Sequence, residues 1–275
     1  MGRLTRLGRF AWLRGNGWSD RLRLFYHTAL KPALAFRGMS RYAPKRELCF
    51  GFRTPGNRPW RLHLRDNFVD ASTCEEFFSG EHNFIPPSLS PLQPRVVYDI
   101  GANIGMATLY MAERFPNAKF FGFEPEPGNC EVCAANYANL PGARVFPWAV
   151  GSHSGTASFT FNAQDLRGGR LHSGCAPAAG AYTRRIEVRV VSLADLVTRE
   201  HLDPPELLKI DVEGAELQVL QGMGPVANHV RRLLVETHGL ELQDQCLDWL
   251  REHGFVARIT SEAAPGFVAI WADRL

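Results

Sequence analysis

From Pro94 onward the apolar and polar positions change period repeatedly. "RVVYDI" (95–100) is a short continuous apolar run, and 103–114 then spaces its apolar residues as a helix does. "KFFGFE" (119–124) reads as a strand, 127–139 as a helix and "RVFPWAV" (144–150) as a strand. "TASFTF" (156–161) and "RIEVRVV" (185–191) alternate with period two, which predicts an antiparallel pair flanking a long loop over 162–185. "LLKIDV" (207–212), a helix over 214–222, "RRLLVETH" (231–238), a helix over 241–253, "FVARIT" (255–260) and "FVAIWA" (267–272) complete the set. Strand, helix and strand in succession predict parallel βαβ units. The expected fold is therefore α/β, a Rossmann-like, doubly wound, mostly parallel sheet with an antiparallel hairpin at its edge.

Before that domain, which spans 94–275, two segments break the pattern. Residues 47–93 form a less regular lead-in that must pack on the sheet, and 1–46 interleave Leu, Phe and Trp with arginine. Charge sharpens the second segment: 1–46 carry eleven Lys and Arg against Asp20 alone, a balance of +10, so the net charge of +3 leaves −7 for the remainder. Such a segment suits a solvated amphipathic helix packed on the main domain. It also leaves open peripheral contact with an anionic membrane surface or an acidic partner. Arginine interrupts every apolar run, which excludes a signal-peptide core or spanning helix there and predicts a cytoplasmic chain, at most peripheral at the inner membrane face. No nucleic-acid partner is expected, and the oligomeric state is open. Six scattered cysteines with one CxxC, Cys130 and Cys133, read as reduced structural thiols.

Candidate chemistry begins at the end of the first domain strand, where sheets of this class bind ligands near the switch point. The turn reads Asp99-Ile-Gly101-Ala-Asn103-Ile-Gly105. A dinucleotide fingerprint would place a second glycine at Asn103, and Asp99 would repel a diphosphate. An acid there suits a phosphate-free cofactor with a cationic end, such as S-adenosyl-L-methionine. Gly101 and Gly105 permit close backbone approach, and Glu124 at the end of the next strand can accept both hydroxyls of a ribose. Pro125 and Trp148 complete the candidate cofactor-binding set.

"VVYDIGANIG", "FGFEPEP", "AVGSHSGTASF", "VVSLADL", "LLKIDVEGAELQVLQG" and "LLVETHG", in this order, resemble the FkbM family of S-adenosylmethionine-dependent methyltransferases over roughly 95–240. The resemblance implies a class I methyltransferase fold and O-methylation of a sugar, glycan, glycolipid or natural-product hydroxyl. A nicotinamide-dependent sugar-modifying oxidoreductase and a non-catalytic cofactor-binding module stay open as alternatives.

Methyl transfer needs the acceptor held in line, and a hydroxyl acceptor benefits from a base. Leu207, Lys209 and Asp211 share one face of their strand, and Leu234, Glu236 and His238 share one face of the next. A central parallel strand is usually apolar on both faces, so these polar residues are the catalytic candidates, together with Glu213. His238 is expected as the base, with Asp211 in its place if it fails, and Lys209 with Glu236 as a buried pair joining the strands. No metal is expected, although Asp211, Glu213 and Glu216 keep a divalent cation as an alternative.

Overall fold

The computed structural model describes residues 3–31, 47–79, 92–162, 165–172, 183–264 and 267–274. They fall into two compact units, one holding residues up to 90 with 104–116 and 131–141, the other 91–103, 117–130 and 142 onward.

In the first unit, helices α1 (Arg3–Arg14) and α2 (Trp18–Phe25), the latter continuing as a π-helical turn (Tyr26–Leu30), precede a hairpin of β1 (Glu47–Arg53) and β2 (Pro59–Arg65). Each hairpin strand buries every second residue, so Leu48, Phe50 and Phe52 face Leu62 and Leu64 across one side. Phe10, Leu24 and Phe78 close over that apolar face. Helix α3 (Phe68–Phe78) starts where the Asn67 side chain accepts the Asp70 N–H at 2.7 Å. Asp70, itself buried, takes a two-pronged contact from Arg65 at 3.0 and 2.9 Å. Helix α4 (Met106–Arg114) adds Met106 and Leu109 to this core.

The second unit contains a seven-stranded sheet. Strands β3 (Val96–Ile100), β4 (Lys119–Phe123) and β5 (Arg144–Phe146) run parallel outward in one direction. On the other side of β3 lie β10 (Leu207–Ile210) and β11 (Arg232–His238), also parallel, then the antiparallel edge hairpin of β12 (Phe255–Ala264) and β13 (Phe267–Arg274). The order β12-β13-β11-β10-β3-β4-β5 reverses between β3 and β10, which is the switch point. Strands β3 and β10 are buried at every position, as central parallel strands are. A second sheet, ordered β6-β9-β7-β8, uses β6 (Ala149–Gly151), β7 (Gly155–Asn162), β8 (Asp165–His172) and β9 (Thr183–Ser192). In chain order, α5 (Pro127–Tyr137) follows β4, α6 (Leu193–Thr198) follows β9, α7 (Glu216–Gln221) follows β10 and α8 (Leu240–Glu252) follows β11.

The expected edge hairpin and the β7–β9 pair are present. Three departures stand out. "RVFPWAV" splits between the two sheets at Pro147, whose missing N–H cannot continue a ladder. The expected loop over 162–185 contains β8, paired with β7 as far as His172, and the start of β9. Residues 163–164 and 173–182, with Cys175, lie outside the described residues. Two helices begin later than their periodicity suggests, α4 at Met106 and α7 at Glu216, because Gly101, Asn103 and Gly105, and then Glu213 and Gly214, hold positive φ. The other five cysteines are free thiols, and burial pushes Cys246 up to about 12.

Candidate active site

At the switch point the two strand ends nearly touch. Gly101 has φ +76°, and a Cβ there would stand 1.8 Å from the Asp211 carbonyl oxygen, so only glycine lets the β3 turn pass the end of β10. The turn is tied down on its other side, where the N–H groups of Gly101 and Ala102 both donate to the Phe123 carbonyl, at 3.0 and 3.1 Å.

The cavity at this point is lined by Gly101, Asn103, Glu124, Pro125, Trp148, Asp211 and Glu213, with Val150, Phe159 and Leu171 among its apolar walls. Glu124 is buried and accepts the N–H of Asn103 and of Glu126, both at 2.9 Å, while Asn129 Nδ2 lies at 3.5 Å. Burial pushes its carboxyl up to about 7, against the backbone donors of Glu126 and Asn103. Trp148 stacks on Phe146 with ring centroids 4.7 Å apart, and the Arg189 guanidinium lies over the indole, 4.3 Å from its centre. A flat aromatic wall is thereby fixed in place.

Asp211, Val212 and Glu213 also line the cavity and begin the segment Asp211-Val-Glu213-Gly-Ala-Glu216. Glu216 has no exposed surface and folds back so that Oε1 accepts the N–H of Gly214 at 3.0 Å and of Val212 at 3.3 Å. The same oxygen lies 2.9 Å from His238 Nδ1, leaving Nε2 directed at Glu213 and Asp211, 3.5 and 3.9 Å away. Burial works to lower the His238 pKa, but the Glu216 hydrogen bond and the charges of Glu213 and Asp211 outweigh it and raise it to about 9. These neighbours favour the protonated ring, which weighs against the base role expected of His238.

Lys209 lies directly across the ladder from Asp99, with Nζ 3.1 Å from that carboxylate and 3.4 Å from Asp211. Its ammonium also donates to the Gly101 carbonyl at 2.8 Å. Burial opposes the charge, but Asp99 and Asp211 outweigh it and hold Lys209 above the ordinary lysine range. Asp99, expected to face a cofactor's cation, is thus buried against Lys209. Glu236, the expected partner of Lys209, is exposed past the end of β10, because Lys209 is in register with Leu234; its charge acts on Lys209 after those of Asp99 and Asp211.

Gly105, the other glycine of the turn, has a reason of its own. It holds φ +86° at the start of α4, and a Cβ there would press on Tyr137 and Cys133 at 3.0 and 3.1 Å. Of the three acids kept as an alternative cation site, Glu216 hydrogen-bonds His238 from behind, and it is Asp211, Glu213 and His238 whose ligand atoms lie within 4.8 Å of one another. Sequence patterning missed Glu216 as the organiser of this wall and Asn129 beside Glu124. The second acid of Glu213-Gly-Ala-Glu216 was the visible signal for the former; Asn129 had none.

The profile of the methyltransferase FkbM domain matches residues 99–257. Methyltransferase sdnD of Sordaria araneosa is 33% identical over 211 residues, covering 64% of this chain and 79% of that protein. The hexuronic acid methyltransferase AglP of Haloferax volcanii is 29% identical, over 54% of this chain and 59% of its own length. The 31-O-demethyl-FK506 methyltransferase FkbM of Streptomyces tacrolimicus is 29% identical, over 62% and 76%.

Proposed function

The chain belongs to the FkbM methyltransferase family, and from that premise we propose that it moves a methyl group from S-adenosyl-L-methionine to a hydroxyl of a sugar, glycan or natural-product acceptor. One observation carries the proposal. A single cavity at the switch point is lined by Glu124, by Asp211 and Glu213, and by Gly101 and Asn103. A buried carboxylate that can accept two hydroxyls, sharing a cavity with a pair of acids, fits a ligand that carries both a diol and a positive charge. A pyrophosphate would meet repulsion there, which disfavours a nicotinamide cofactor.

When bound, the cofactor supplies an electrophilic methyl on a positively charged sulfur. Glu124 would hold the diol, Pro125 and Trp148 would hold the adenine, and the Gly101 turn, pinned by Lys209, would let the cofactor approach the backbone. Asp211 takes the proton of the acceptor hydroxyl. It need not be a strong base, because the proton leaves an oxygen that is already gaining the methyl. Glu216 positions His238, and His238 with Lys209 positions Asp211. The acceptor class is supported by the names of AglP and FkbM, which give a hexuronic acid and 31-O-demethyl-FK506 as what those proteins methylate.

Two measurements test this. Calorimetry should show S-adenosylhomocysteine binding and no binding of NAD. Transfer of labelled methyl to a panel of uronic acids and hydroxylated natural products should identify acceptors. Asp211→Asn should keep the binding and lose about 10²–10⁴ in turnover. Tight NAD binding, or full turnover by Asp211→Asn, contradicts the proposal.

A further inference from the structure

Nine large apolar side chains stand exposed among the described residues, and six of them fall between residues 12 and 30: Trp12, Leu13, Trp18, Leu22, Tyr26 and Leu30. Isolated exposed apolar groups are ordinary on a protein surface, but a contiguous set marks an interaction face. Four of these recur at intervals of four along α2 and its π-helical continuation, and so follow one another down one side. Trp18 is 67% exposed, Leu22 64%, Tyr26 44% and Leu30 41%. Leu24 and Thr28, on the other side, are buried. Trp12 joins the stripe from α1, its ring edge-on to Trp18 with centroids 4.9 Å apart, and the Arg21 guanidinium covers it at 4.6 Å.

We propose that this face is a docking surface for an anionic lipid bilayer, on which the helix lies flat with its Trp, Leu and Tyr side chains among the headgroups. Charge selects the occupant. Residues 1–46 carry +10 while the rest of the chain carries −7, so the basic segment is drawn to an anionic surface. Arg6, Arg23 and Lys31 are paired with Glu75, Asp20 and Asp66, but the segment keeps a net positive charge, and a second copy would bring a segment of the same sign against it. Tryptophan and tyrosine, apolar in body and polar at one edge, are the side chains that favour the boundary between headgroups and hydrocarbon. The stripe is about 18 Å long, enough to lie in the interface and too short to cross it. No helix among the described residues is long and apolar enough to span a membrane.

Sedimentation of the full chain with vesicles tests the assignment. Vesicles of phosphatidylcholine with phosphatidylglycerol should carry the protein down at low salt, vesicles of phosphatidylcholine alone should do so weakly, and high salt should release it. Tryptophan emission should shift to the blue on binding. The triple variant Trp18→Ser, Leu22→Ser, Tyr26→Ser should partition about tenfold more weakly or worse, with an unchanged melting temperature because all three side chains are exposed. Should it melt early, Trp18→Ser alone takes its place and should still weaken partitioning and reduce the blue shift. Parent protein that stays in solution with anionic vesicles at low salt overturns the proposal, as does a folded variant that sediments like the parent. Self-association that the variant abolishes, without any vesicle binding, gives the face to a second copy instead.

Discussion

Glu124 is 5% exposed, and a carboxylate so placed keeps its charge only through what donates to it. Asn103 and Glu126 donate two backbone N–H groups, yet burial prevails and the pKa stands at about 7, so the side chain is half ionised near neutrality. Hydroxyls of a bound ribose would donate to the ionised form and lower that pKa. Binding then favours the deprotonated state, and affinity rises as pH climbs through 7. S-adenosylhomocysteine should bind about tenfold more weakly at pH about 6 than at pH about 8 by calorimetry. Glu124→Gln should flatten that slope and weaken binding at the higher pH by about 1.5–3 kcal/mol. A parent affinity that does not change across this interval would remove Glu124 from the binding site.

At the scale of elements, β10 carries a cation into the middle of a sheet, and β3 answers it at the same register with Asp99. Removing one member of such a pair leaves the other charge buried and uncompensated. Lys209→Met should therefore lower stability by about 3–5 kcal/mol, read from the denaturant midpoint, and Lys209→Met with Asp99→Leu should recover a substantial part of it. A double variant no more stable than the single would show that the two charges are not each other's main partners. The alternation of strands and helices was legible because long apolar runs and turns separate cleanly in this chain, and Lys209 and Asp211 stood out as polar residues on a strand otherwise apolar. Their partners were not legible. Pairing depends on register, and no local pattern says that Lys209 stands beside Asp99 and Leu234 rather than Glu236. The same holds for β8: Gly168 and Gly169 in "DLRGGRLH" argue against a strand locally, and only the ladder with β7 overrides them.

Across the whole molecule, the perturbed groups define how stability varies with pH. Asp66 and Glu206 set the acid side: burial opposes their charge, but Lys31 and His27 around Asp66, and Arg95 at Glu206, outweigh it and depress both carboxyls. Their contribution is complete above the ordinary carboxylate range and fades as pH falls through their folded values. Glu124 and His238 act in the opposite sense, since both are raised in the folded protein. The Glu124 contribution is complete below 4.5 and fades as pH rises through about 7; that of His238 is complete below 6.5 and fades as pH rises through about 9. His27, lowered mainly by burial, adds stability above 6.5 and withdraws it in acid. Between these slopes the melting temperature should peak at pH about 6 and decline through pH about 9. His238→Gln tests the origin of the alkaline decline, because it keeps a donor toward Glu216 but cannot titrate. Its melting temperature should be lower than the parent's at pH about 6 and should fall less from there to pH about 9, so that the two curves converge. Parallel curves would mean that the imidazolium held among Glu216, Glu213 and Asp211 contributes nothing to the stability of the fold.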